Sequence, residues 1–188
     1  MCGRYYMDPD DVREYAADAS CGDAAKADGM DVCPGMEAPV IVETEAALQA
    51  KRMRWGFARP SGGLVINARV ETIGERELFR GLAQKQRCAL PASKYYEWRR
   101  GDRQKFEIAL PGRFFLAGLW RIGGDGAEFV VLTQPPVPAI EPIHDRMPVL
   151  LSTKDAMRCW LAGETRLFSD SAALRIYADG PEQLAMRF

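Results

Sequence analysis

Apolar and polar positions along this chain mostly form short runs, and helical spacing is the exception. Ala38 to Glu43 is β-branched and predicts a strand. Leu64-Val65-Ile66 predicts a short buried one. Strands then dominate, over Cys88–Leu90, Tyr95–Arg99, Phe106–Leu110, Phe114–Trp120 and Glu128–Thr133. The last two flank Gly123-Gly124-Asp125-Gly126, a hairpin-turn sequence. Asp8-Pro9 followed by Val12, Tyr15 and Ala16 predicts a short helix with Pro at its first position. Residues 18–31, rich in Asp, Ala and Gly, predict a loop. Leu78, Phe79 and Leu82 mark another helix. Ser152-Thr153 caps a further one, with Ala156, Met157, Trp160 and Leu161 on its apolar face, and Pro181 predicts the start of a last short helix. Consecutive strands without alternating helices point to an α+β fold, a mostly antiparallel sheet system with peripheral helices, and away from a doubly wound parallel sheet.

At 188 residues, with no internal repeat or low-complexity linker, the chain reads as a single domain over 1–188. No apolar run approaches the roughly 18–20 residues of a membrane span. The acidic start (Asp8, Asp10, Asp11) is unlike a signal peptide, so a cytoplasmic location is expected. The cysteines, Cys2, Cys21, Cys33, Cys88 and Cys159, are odd in number and lack zinc-site or redox spacing. Reduced thiols and no metal or cofactor are expected, with Cys88 and Cys159 as core packing. Charge is segregated: residues 1–50 carry 3 basic and 11 acidic side chains, residues 51–121 carry 16 and 6, and residues 122–188 carry 6 and 9. The basic middle segment can form a phosphate-binding face or pair with the acidic segments.

The chain opens Met1-Cys2-Gly3-Arg4. With Met1 removed, Cys2 carries an α-amine and a thiol on adjacent carbons. Such an amine titrates at about 7.7–8.0, so part of it is neutral and nucleophilic near pH 7. It can condense with an aldehyde, and the neighbouring thiol can close a five-membered thiazolidine. Four polar clusters could serve such chemistry. Tyr95-Tyr96-Glu97-Trp98 sets one carboxylate among aromatics, where desolvation suits Glu97 to acid/base work, unless it faces solvent. Ile143-His144-Asp145-Arg146-Met147-Pro148 holds the single histidine, a proton carrier or a structural hydrogen-bonder. In Asn67-Ala68-Arg69-Val70-Glu71-Thr72, Asn67 can orient a ligand or simply end a strand. Arg69 and Arg146 can contact phosphates or pair with Glu71 and Asp145. In Trp55-Gly56-Phe57 the aromatics can stack on a base or sit in the core.

Met-Cys-Gly-Arg, Trp-Gly-Phe, Asn-Ala-Arg-x-Glu-Thr, Tyr-Glu-Trp, Gly-Leu-Trp and Ile-His-Asp-Arg-Met-Pro occur here in that order. As an ordered set they resemble the SRAP (SOS response-associated peptidase) family over residues 1 to about 150. Asp31-Val32-Cys33-Pro34-Gly35 is similar to the family's Asn-Val-Ala-Pro-Gly loop, with Cys in place of Ala. The resemblance implies a β pseudo-barrel and covalent linkage to abasic sites in single-stranded DNA. It implies Cys2 as cross-linking nucleophile, Glu97 as proton shuttle, His144 beside the sugar and Asn67 as a positioning group. It places Arg4, Pro34, Trp55, Gly56, Arg69, Thr133 and Arg146 at the DNA. A monomer is expected, associated with the nucleoid when bound to DNA. Self-cleavage exposing Cys2 is a further activity that the family name suggests. Two departures stand out: Gln134-Pro135-Pro136 replaces small residues, and residues 163–188 show no clear equivalent of the family's C-terminal motifs. Two other readings fit parts of the chain. One is an amidotransferase with N-terminal cysteine, which also begins Cys-Gly. The other is a non-covalent single-stranded nucleic-acid binder.

Overall fold

The computed structural model describes residues 2–8, 10, 29–45 and 47–179. The first strands are Tyr5–Met7 (β1), Met30–Val32 (β2), Glu37–Glu43 (β3), Leu48–Trp55 (β4), Phe57–Ala58 (β5), Leu64–Val65 (β6) and Asn67–Arg69 (β7). Helix Glu77–Lys85 (α1) follows. Then come Arg87–Ala92 (β8), Lys94–Trp98 (β9), Lys105–Ala109 (β10), Phe114–Gly123 (β11), Gly126–Gln134 (β12), Met147–Pro148 (β13) and Leu150–Leu151 (β14). Helix Lys154–Leu161 (α2) and Arg175–Asp179 (β15) follow, with short 3-10 turns at Val70–Thr72 and Ser171–Ala173.

Five strands close on themselves in the order β12-β4-β3-β8-β11 and back to β12. Closure leaves those strands no free edge within the ring. Every pairing in the ring is antiparallel except β4 with β12. The mostly antiparallel barrel with helices outside is the architecture the resemblance implies. Strand β3 is buried on both faces, so its apolar run does not alternate. A second, antiparallel sheet runs β15-β10-β9-β1-β2. The chain passes from β8 in the barrel to β9 in this sheet through Ser93, whose N–H donates to the Tyr6 carbonyl at 2.9 Å.

The helices cover the barrel. Phe79 and Ala83 are the buried positions of α1, and Met157 and Trp160 those of α2. Thr153 caps α2 by accepting the Ala156 N–H at 3.0 Å. The β11–β12 hairpin turns through Gly124-Asp125, with Gly126 at φ +119° where a side chain would be strained.

Several details depart from expectation. Leu64–Val65 is only half-buried, because it pairs with β5 in a two-stranded excursion outside the barrel. Strands β1, β2, β4, β5, β7, β13, β14 and β15 carry no expected counterpart; β4 reads as charged because Lys51 and Arg52 face solvent between buried Ala50 and Met53. The expected helices after Asp8 and from Pro181, and nearly all of the expected loop 18–31, lie outside the described residues. No helix among the described residues is long and apolar enough to cross a membrane.

Candidate functional site

Strand β1 sets Tyr5 opposite Tyr95 on β9, and the Tyr96 N–H donates to the Arg4 carbonyl at 3.0 Å. Cys2, three residues before Tyr5, lies close enough to Glu97 on β9 to feel its charge. Cys2 is fully buried. Its carbonyl accepts a 2.9 Å hydrogen bond from Asn67 Nδ2. Asn67 reaches that position because β7 lies parallel to β12, with Asn67 beside Val131. Asn67 Oδ1 is buried with no hydrogen-bond partner among the described residues.

Burial pushes the Cys2 thiol far up, and the negative charge of Glu97 pushes it the same way. The thiol lies 3.9 Å from the Arg4 carbonyl. Burial likewise lifts the Glu97 carboxyl to about 7. Sequence neighbours account for only part of that burial. Strand alternation turns Tyr96 and Trp98 to the opposite face, while Tyr95 and the cross-strand partner Phe106 share the face of Glu97. A buried carboxyl poised near neutrality beside a thiol can take up and return its proton.

His144 follows a turn in which its N–H donates to the Ile140 carbonyl at 2.9 Å. Burial lowers its pKa. Its Nδ1 lies 2.8 Å from Asp145 Oδ1 and 3.1 Å from the Arg146 amide nitrogen. One nitrogen cannot donate to the first and accept from the second together, so the two contacts correspond to different protonation states of that nitrogen. Asp145 also takes a 2.8 Å hydrogen bond from Arg100, just beyond β9. That ion pair draws the histidine loop to the end of the strand bearing Glu97.

The residues expected at DNA divide into two groups. Arg4, Pro34 and Arg69 are at least partly exposed. Arg4 lies 5.7 Å over the Trp98 ring and 3.8 Å from Asp31. Pro34 occupies the turn closed by the Met36 N–H to the Cys33 carbonyl, with Gly35 at φ +87°.

The others are engaged inside the fold. Trp55 is fully buried, stacks on Phe129 at 6.0 Å and donates from Nε1 to the Ile66 carbonyl at 2.9 Å. Gly56, at φ +115°, donates to the Phe129 carbonyl, and a Cβ there would meet Leu64 at 2.9 Å. Together they tie the two ends of the β5–β6 excursion so that β7 resumes alongside β12. Thr133 is buried. Arg146 grips Glu71 through both terminal nitrogens, at 2.6 and 2.9 Å, and donates to the Thr133 carbonyl at 2.6 Å. The Arg146 hydrogen bonds hold the Glu71 carboxyl below its usual value. Of the alternatives read from sequence, the ion pair with Glu71 is formed, whereas Asp145 takes Arg100 instead.

Two buried tyrosines lie outside the candidate set. Tyr5 and Tyr95 are fully buried, and neither hydroxyl has a hydrogen-bond partner among the described residues. Their signal was obscure because tyrosines in strands ordinarily read as packing. Among the described residues no cluster of three or more His, Cys, Asp or Glu could hold a metal ion. Two surface grooves, of about 410 and 510 Å³, flank α2 and include none of the residues around Cys2.

Three comparisons agree with this architecture. Abasic site processing protein YoqW of Bacillus subtilis is 29% identical over 180 residues, covering 86% of this chain and 80% of that protein. Abasic site processing protein YedK of Escherichia coli is 31% identical over 163 residues, covering 80% and 70%. Crystal structures of proteins from Bacteroides thetaiotaomicron (TM-score 0.76, 19% identity, 94% and 91% coverage) and Bordetella bronchiseptica (TM-score 0.74, 22% identity, 94% and 99% coverage) share the fold. The SOS response associated peptidase (SRAP) model matches residues 1–186, well past the limit near 150 expected from the motifs. By that match the chain belongs to the SOS response associated peptidase (SRAP) family.

Proposed function

We propose that this chain processes abasic sites in single-stranded DNA by linking Cys2, once Met1 is removed, to the open-chain deoxyribose aldehyde. Family membership and the names of the relatives support the lesion as substrate. The observation that carries the chemistry is the pairing at Cys2: its carbonyl is held by Asn67 while its thiol lies in the field of a buried Glu97 titrating near 7.

Glu97 assists ring opening of the sugar by general acid/base catalysis. The Cys2 amine adds to C1′ and water leaves, giving an imine. The thiol then adds to the same carbon; its proton passes to Glu97 and on to the ring nitrogen. The product is a thiazolidine, with one water released overall. Held amine, thiol and aldehyde react at high effective concentration. Consuming the imine removes the species that would promote strand cleavage, so the lesion is shielded.

The test uses Met1-free protein, verified by intact mass, and a single-stranded oligonucleotide bearing one abasic site. A denaturant-stable complex of protein plus oligonucleotide minus one water is expected. Cys2→Ala should form no such complex unless borohydride traps its imine. A stable complex with Cys2→Ala overturns the thiazolidine, and a wild-type protein that forms none overturns the function.

A further inference from the structure

A carbonyl oxygen has two lone pairs, and a donor on each fixes its direction. The Ile66 carbonyl takes the Trp55 Nε1–H at 2.9 Å and the Val131 N–H at 3.1 Å. It lies in the peptide plane that it shares with the Asn67 nitrogen, so its two donors set the plane from which Asn67 departs. Asn67 in turn donates from Nδ2 to the Cys2 carbonyl at 2.9 Å. The same indole reaches the other side of that bond. Its ring lies 5.5 Å from the Tyr5 ring, at 52°, on the strand that leads back to Cys2. It stacks at 6.0 Å and 15° on Phe129 of β12, the strand along which β7 runs. One fully buried side chain thus touches both the residue before Asn67 and the strand after Cys2.

We propose that Trp55 is a positioning residue for the cross-linking reaction, fixing the Asn67–Cys2 hydrogen bond from both sides. The proposal rests on the thiazolidine reading and adds a residue behind the reacting one. Strand β7 is three residues long and resumes after the β5–β6 excursion, so it brings little pairing of its own to hold Asn67. An indole has one donor and no acceptor, so the buried Nε1–H bond commits the ring to one orientation, and the Phe129 stack keeps it there. A misplacement of about 1 Å at a reacting group costs on the order of 10²-fold in rate. A side chain that sets Asn67 therefore acts on the rate without touching DNA.

Asn67 is the single asparagine of the sequence, so side-chain-labelled asparagine gives a single amide group in NMR. Its exchange with water is followed without DNA in Met1-free wild type, Trp55→Phe and Leu116→Ala. Trp55→Phe keeps an aromatic ring and loses the donor. Leu116→Ala opens a cavity between β8 and β14 and controls for lost stability. Single-turnover cross-linking against the concentration of abasic oligonucleotide is measured alongside the Tm. In Trp55→Phe, exchange of the Asn67 amide should speed up by roughly tenfold, the equivalent of one net hydrogen bond. The cross-linking rate at saturating DNA should fall by roughly 10- to 100-fold, with the half-saturating concentration unchanged. Leu116→Ala should lower the Tm and leave the amide and the saturated rate of folded protein as in wild type. An unchanged Asn67 amide in folded Trp55→Phe, or equal losses in Leu116→Ala, overturns the proposal. Should Trp55→Phe not fold, Phe129→Leu removes the stacking partner and keeps the donor; an unchanged amide and rate there overturns the proposal too. If the wild type forms no cross-link while Trp55→Phe still frees the Asn67 amide, the abasic-site reading fails and the positioning of Asn67 stands.

Discussion

Among the described residues two glutamates lie buried, and their surroundings make opposite use of them. Glu128 stands on β12 with Arg121 opposite on β11 and Arg54 opposite on β4. Its carboxylate takes hydrogen bonds from Arg54 at 2.7 Å, Arg121 at 3.1 Å and the Ala58 N–H at 3.3 Å. Burial alone would raise its pKa, but those donors outweigh it and the value falls. Glu97 stands on β9 with Phe106 opposite on β10, and burial there dominates. Equal burial therefore says little about role. A carboxylate between two cross-strand arginines is locked as an anion and ties three strands together. A carboxylate facing an aromatic side chain beside a thiol is left able to change its protonation state.

The contrast is most sharply tested by Glu97→Gln. The cross-linking rate should fall by roughly 10²- to 10⁴-fold in single-turnover gels, the range for loss of a general acid/base, without loss of stability. A rate within threefold of wild type would remove Glu97 from the chemistry. Glu128→Ala should do the reverse. Stranding two partly exposed arginines should lower stability by roughly 3–4 kcal/mol in urea titration, while folded protein reacts at the normal rate.

Their pH dependences should also oppose. The folded pKa of Glu97, about 7, lies above its ordinary 4.5. Its favourable contribution is therefore complete below about pH 4.5 and lost as pH rises through 7, on the order of 3 kcal/mol. For Glu128 the folded value is lowered, so its contribution is present above the unfolded value and lost as pH falls through the folded one. Urea midpoints from pH 4 to 8 should rise relative to wild type at the alkaline end in Glu97→Gln. A parallel pair of curves would contradict the raised value. The smallest effect is expected from Gly123→Ala, whose Cβ would meet the Glu128 carboxyl carbon at 2.6 Å. The crowding should cost about 1 kcal/mol in Tm or urea midpoint and leave cross-linking unchanged.

Legibility along the chain followed local physics. Strands with β-branched or aromatic runs, such as β3, β11 and β12, were readable because their patterns reflect burial. Strand β4 was not, since its Lys51 and Arg52 resemble a solvated stretch until pairing with β3 and β12 shows the buried positions between them. The unusual Gln134 and the unplaced C-terminal segment proved to be one feature. The Gln134 side chain donates to the Phe168 carbonyl at 2.6 Å and accepts its N–H at 3.1 Å, holding that segment against the end of β12. Beyond it, β15 completes the sheet edge along β10. A contact across 34 residues leaves no periodic trace in either partner.

By itself the sequence determined the chemistry available: a cysteine at position 2 whose amine is exposed on removal of Met1, a carboxylate in an aromatic strand, the single histidine, and the ordered motifs of the family. These are properties of residue identity and spacing, and they need no coordinates. Only the tertiary structure decided which groups are free to act. Trp55 and Arg146, chemically suited to bases and phosphates, are engaged with Ile66, Phe129 and Glu71, whereas two ordinary-looking tyrosines keep unpaired hydroxyls in the core. Availability depends on what the folded neighbours have already satisfied, and strand register sets those neighbours.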